Sequence, residues 1–208
     1  MLAILIMGGW VMVPLGLCSI VAGSVIIERL LYFRKIGAAK QAEEVVGLAG
    51  KGKLDDAKLL VKGGNVPLLR VLAAGLENRL TAANAMAAAA IIEIAKMKRG
   101  LPVLDTIITL SPLLGLLGTI IGMISSFQVM AIGGMGQPHA VTGGVAEALI
   151  ATATGISIAI VSLIPYNYFL SKVEAETEVI EYQATKLEVA LEKLPGGSEQ
   201  YEDSKKFA

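Results

Sequence analysis

The sequence predicts an all-α membrane protein: three transmembrane helices, with long helices extending into the cytoplasm. Three observations carry that prediction. Residues 1–27, 106–146 and 148–171 hold no Asp, Glu, Lys or Arg. The chain is 54% apolar and 17% charged, against about 25% charged in a typical soluble domain. The Lys and Arg residues are crowded into two segments, 29–102 and the tail from Lys172. The apolar excess is aliphatic, because aromatic residues are only 5%. Mean hydropathy is +0.67. A net charge of zero excludes a basic nucleic-acid binder, and a single Cys excludes an intrachain disulfide scaffold. With one His and one Cys, a zinc site lacks its usual ligands.

The elements follow in order. Residues 1–33 form an N-terminal segment and the first span, at about 9–32; a helix of about 20 apolar residues crosses the ~30 Å core. A signal peptide is disfavoured, since the basic n-region is missing and the apolar run is long. Residues 34–102 read as a cytoplasmic helical domain. Short helices at 36–50 and 54–63 are split by Gly50-Lys51-Gly52, and an Ala-rich helix covers 67–99. The second span is 103–131. Gly133 to His139 has turn composition, so 132–143 is a periplasmic loop. The third span is 144–170. Residues 171–208 are a cytoplasmic helix and a disordered tail. In that helix Val173, Ile180, Ala184, Leu187, Leu191 and Leu194 form a heptad seam, suited to its own cytoplasmic domain or to a neighbouring subunit. Segment 29–102 holds 13 of the 18 Lys and Arg residues and the loop none. The positive-inside rule therefore puts the N-terminus outside and the C-terminus inside.

Polar residues within spans are functional candidates. Asp105 lies at the cytoplasmic edge of the second span, and Glu147 just inside the outer end of the third. Thr119 is ~21 Å above Asp105 and Thr152 ~12 Å below Gly144, so both hydroxyls fall in the outer half. Glu147 and Thr152 stand about 140° apart on a straight helix; Thr154 shares the Glu147 face better. Gly115, Gly118 and Gly122 line one face of the second span, and Ala148, Ala151, Thr152 and Gly155 one face of the third. Such faces let helices pack tightly on each other or on partners.

At these residues the chain resembles the ExbB/TolQ/MotA ion-channel family. The run Ser111-Pro112-Leu113-Leu114-Gly115-Leu116-Leu117-Gly118-Thr119-Ile120-Ile121-Gly122-Met123 is similar to the family's second-span signature. Gly144-Val145-Ala146-Glu147-Ala148-Leu149-Ile150-Ala151-Thr152-Ala153-Thr154-Gly155 and Ile164-Pro165-Tyr166-Asn167 are similar to its third. The first span fits with Ser19 and Ile26-Ile27-Glu28-Arg29. The likeness covers nearly the whole chain and is nearer ExbB and TolQ, with three spans, than MotA, with four.

The resemblance implies a ring-forming homo-oligomer, a pentamer, in the bacterial inner membrane. It implies a dimeric single-span partner of the ExbD/TolR kind in the pore, and a TonB- or TolA-like transducer. Thr119, Thr152 and Glu147 match the pore positions, with Thr154 and Asp105 as weaker members. The proton-taking Asp is the partner's. The ion is expected to be H+, with Na+ as the alternative because Thr154 adds an oxygen ligand. No cofactor is expected. A TolQ-type role in envelope maintenance and a non-conducting scaffold are the competing readings. An enzyme is disfavoured: no cluster of His, Cys, Asp or Glu makes a site, and no phosphate loop occurs.

Overall fold

The computed structural model describes residues 9–34, 36, 39–64, 66–133 and 138–194. The N-terminal eight residues, the turn at 134–137 and the tail from 195 read above lie outside them. The elements of the described residues run in the order α1 (Met12–Phe33), α2 (Ala39–Gly50), α3 (Leu54–Val61), α4 (Pro67–Glu77), a 3₁₀ turn (Arg79–Thr81), α5 (Ala82–Lys98), α6 (Leu101–Gly133) and α7 (Pro138–Glu192). Three stretches are long and apolar enough to cross a membrane: Met12–Phe33, Arg79–Ala131 and Thr142–Glu192. The elements of the described residues are thus all helices, and the chain is a multi-pass membrane protein. It divides into two units, one of Met1–Leu30 and Gly100–Phe169, the other of Leu31–Arg99 and Leu170–Ala208.

In the first unit α1, α6 and the N-terminal part of α7 pack together. Val11 lies near Gly118, and Val25 near Gly100. Residue numbers therefore rise along α1 as they fall along α6, and the two are antiparallel. Val11, Met12, Leu15 and Ala151 make a small buried core, with Leu114, Ile121 and Ile158 against it. Gly100 has φ +82°, which only glycine adopts without strain. It starts α6, and Pro102 fits the first helical turn because no N–H is needed there. Large side chains such as Leu113, Ile120, Phe127, Leu149, Ile160 and Ile164 are exposed, as suits a surface solvated by lipid.

One boundary differs from the sequence reading. Helix α6 continues to Gly133 and α7 already starts at Pro138, so the connection is shorter than 132–143. Proline fits the first turn of α7, and glycine breaks helices less readily in a membrane. Helix α7 runs unbroken through 170–171, as expected of a third span that continues into the following helix, and carries Pro165 inside it.

In the second unit large side chains build the core. Helix α4 buries Leu68, Leu69, Val71, Leu72 and Leu76. The expected single helix over 67–99 is broken at Asn78–Thr81, which lets α5 fold back on α4. Asn78 ends α4 by donating both its backbone N–H and its Nδ2 to the Ala74 carbonyl, each at 3.1 Å. Gly75 is the point of closest approach: a Cβ there would stand 2.6 Å from the Met86 sulfur. Glu93 of α5 is buried and accepts from Lys96 Nζ at 2.7 Å and Arg70 Nη1 at 3.3 Å. Helix α7 closes the unit with Val173, Ile180, Leu187 and Leu191 fully buried. Ala190 and Leu194 reach Gly50 and Gly52 at the α2–α3 turn. The heptad seam thus packs on its own chain.

Candidate functional site

One polar candidate, Thr152, lies on a seam between α6 and α7 that is built of backbone contact. A Cβ on Gly115 would lie 3.0 Å from Thr152 Cα, one on Gly118 2.7 Å from Ala151 Cβ, and one on Gly122 2.8 Å from Ala148 Cβ. A Cβ on Gly155 would run into the Ser111 carbonyl oxygen, and one on Gly144 into the Ser126 hydroxyl. Residue numbers fall along α7 as they rise along α6, so the pair is antiparallel. The residues that carry the seam recur every three or four positions. On α6 they are Ser111, Gly115, Gly118, Gly122 and Ser126; on α7 they are Gly144, Ala148, Ala151 and Gly155.

Thr152 is half-buried in this seam and donates its Oγ1 hydrogen to the Gly115 carbonyl at 2.8 Å. The bond joins the two helices. Thr119 bonds within its own helix, to Leu116 O at 2.7 Å. Thr154 does the same, to Ile150 O at 2.8 Å. The two hydroxyls expected to share a layer are therefore not bonded to each other. Thr152 is level with Gly115, about one helical turn (~6 Å) from Thr119.

Glu147 is exposed, and its carboxylate lies against Gly9, where the chain turns into α1. Gly9 has φ +71°, and any side chain there would meet that carboxylate. Glu147 and Thr152 thus address different neighbours, α1 and α6, as their angular separation on one helix requires. Asp105 is exposed in the second turn of α6, where its backbone carbonyl accepts from Thr109 at 3.1 Å.

Three buried serines were missed by the sequence reading: Ser111, Ser126 and Ser162. Extending the three-and-four spacing of the small residues one turn each way reaches Ser111 and Ser126. Continuing it from Gly155 through Ala159 reaches Ser162. Ser126 bonds Gly122 O at 2.8 Å, and the Ser111 hydroxyl is buried without a hydrogen-bond partner among the described residues. Pro112 and Pro165 have no N–H, so the carbonyls four residues earlier lose their helical donor. The seam offers hydroxyl and carbonyl oxygens. Among the described residues no group of three His, Cys, Asp or Glu is placed to hold a metal ion. Hydroxyl and carbonyl oxygens can solvate a cation but do not titrate near neutral pH.

The sequence profile of the MotA/TolQ/ExbB proton channel family matches residues 64–182. An ExbB-like biopolymer transport protein of Synechocystis sp. is 32% identical over 207 residues, spanning 94% of this chain and 97% of that protein. The Tol-Pal system protein TolQ of Pseudomonas aeruginosa is 41% identical over 92 residues, 44% of this chain and 40% of that one. The biopolymer transport protein ExbB of Helicobacter pylori is 34% identical over 89 residues, 43% of this chain and 61% of that one.

Proposed function

The chain belongs to the MotA/TolQ/ExbB proton channel family, and on that premise we propose that it is the ion-conducting subunit of an ExbB/TolQ-type motor in the bacterial inner membrane. Copies of the chain form a ring, a pentamer. The ring encloses the spans of a dimeric single-span partner of the ExbD/TolR kind. Protons are the transported ion, with sodium as the alternative. Their flow drives the partner against the ring and, through a TonB- or TolA-like transducer, energises outer-membrane transport. The Lys and Arg distribution supports an outside N-terminus and an inside C-terminus.

One observation carries this reading. Helices α6 and α7 are locked together by their backbones, with Thr152 in the seam and Thr119 about one turn away, while residues 106–146 hold no Asp, Glu, Lys or Arg. Such a wall solvates an ion and leaves its carriage to a partner's carboxylate. Thr119, Thr152 and Glu147 form the pathway lining, with Thr154 and Asp105 at its margins. The near full-length match to an ExbB-like protein favours an ExbB-type subunit over a TolQ-type one for envelope maintenance.

A passive scaffold is the second reading, and it too has an observation behind it. The Thr152–Gly115 bond gives Thr152 a structural task that needs no ion. Proton flux into liposomes separates the two, using the chain co-purified with the single-span protein encoded beside it. Thr152→Val should abolish flux while native mass spectrometry still finds the ring, and Thr152→Ser should keep both. Wild-type flux in an intact Thr152→Val ring would establish that Thr152 is glue alone.

A further inference from the structure

The outer face of α5 lacks the charges expected of a helix in water. Its buried side is Ala82, Met86, Glu93 and Met97. The opposite side presents Asn84, Ala87, Ala88, Ile91, Ile92 and Ala95, all exposed, with Ile91 at 70%. No charged residue occurs from Leu80 to Ile92, and Leu80 before the helix is also exposed. A contiguous exposed apolar face marks an interaction site. Small residues on it allow another helix to come close. At its C-terminal end stand Lys98 and Arg99, both exposed.

Helix α7 has the complementary face in the same unit. Opposite its buried seam it exposes Ala175, Tyr182, Thr185 and Val189, flanked by Glu174, Glu178 and Glu181. Both helices can be measured from the residue where the chain crosses between units, Arg99 for α5 and Leu170 for α7. At 1.5 Å per residue, Asn84 and Thr185 both come at ~22 Å, and Leu80 and Val189 at ~28 Å. On the same scale Ala95 and Ala175 come at ~6 and ~8 Å, and Ile91 at ~12 Å, between Ala175 and Tyr182. Antiparallel docking therefore meets apolar with apolar and polar with polar. It also sets Lys98 within one turn of Glu174.

We propose that the exposed face of α5 docks on the exposed face of α7 of a second copy of this chain, head to tail, with Lys98 against Glu174. The two faces differ and belong to one subunit. Each copy can therefore give one and receive the other, which is the heterologous contact that closes rings. The inference rests on the ring reading above and names the surface that makes the ring.

Cysteine pairs in the full chain test it, in membranes and in a Cys18→Ala background. Asn84→Cys with Thr185→Cys, and separately Ala95→Cys with Ala175→Cys, should react with a short bismaleimide. In each case the monomer band should be lost into a ladder of covalent multiples. Asn84→Cys with Ala175→Cys, which the register sets ~15 Å apart, should leave the monomer. Native mass spectrometry of the uncrosslinked variants reports the ring independently. A ring without either ladder overturns the interface and leaves the ring standing. A covalent dimer from Asn84→Cys alone, or a link to a different polypeptide, also overturns the interface. A monomer by mass overturns both.

Discussion

In the first unit Gly115, Gly118 and Gly155 are buried, while Leu113, Ile120 and Ile160 stand exposed; in the second, Leu69, Leu72 and Leu187 are buried, and Glu and Lys cover much of the outside. The helices are alike and the placement of side-chain volume is reversed. The surrounding medium explains the reversal. Lipid solvates a leucine as well as a protein interior does, so nothing is gained by hiding it, and association relies on close backbone approach. In water, each buried apolar Å² is worth roughly 25 cal/mol, so the large side chains go inside. The hydrogen bonds follow suit. Thr152 bonds a carbonyl across the α6–α7 seam, whereas Glu93 gathers two cations at the edge of a water-facing core.

Substitutions can push on this contrast. The largest effect is expected from Gly155→Leu, whose side chain would collide with the Ser111 carbonyl, a backbone atom with nowhere to move. The loss should reach or exceed the upper end of the ~1–3 kcal/mol typical of overpacking, read from SDS-titrated unfolding of the full chain. Next comes a matched pair. Leu72→Ala should cost about 2–5 kcal/mol, as for a buried leucine. Ile120→Ala, of like size but facing out, should stay within about 0.5 kcal/mol. Equal costs in thermal melts would erase the contrast between the units. Glu93→Gln should cost about 1.5–3 kcal/mol through its charged hydrogen bonds, lowering the melting temperature while leaving proton flux unchanged.

The smallest effect concerns Lys186. Its ammonium stands 4.5 Å from the centroid of the Tyr182 ring, and the Tyr182 side chain holds the Lys186 pKa above the usual 10.5, helped by the charge of Glu43. Because the folded value is raised, the contact stabilises fully below 10.5 and fades as pH rises through the raised value. A pH series of melts should therefore show Tyr182→Phe differing slightly from wild type near neutrality and converging with it in strong alkali.

Much of the fold can be read from the sequence because charge is either present or absent. The uncharged runs mark the three spans, and the three-and-four spacing of Gly115, Gly118 and Gly122 marks a face. What the face meets is not written there: lipid, a neighbouring copy and α7 all accept a small-residue stripe. The Thr152 acceptor is likewise hidden, since Gly115 O is a backbone atom that any residue would supply. The break at Asn78–Thr81 is obscured by strong helix formers on either side. It forms because α4 and α5 gain more by packing on each other than one long helix would gain. Glu93 left a readable trace, as the first charge after a long neutral stretch of α5, but its partner Arg70 lies 23 residues away.

The second unit is discontinuous in sequence, and that orders its biogenesis. Its first part ends at Arg99, and the buried face of α7 that completes it starts beyond Leu170. The 70 residues between them (Gly100–Phe169) must be translated first. At 5–20 residues per second that takes roughly 4–14 s. During that interval Leu68, Leu72 and their neighbours lack the helix segment that closes over them. A nascent chain in which α6 crossed the bilayer and α7 did not would leave that segment on the opposite side from the rest of the unit, with the core open. An incomplete second unit leaves apolar side chains of α4 uncovered, so its core depends on a helix segment that is translated after the membrane hairpin.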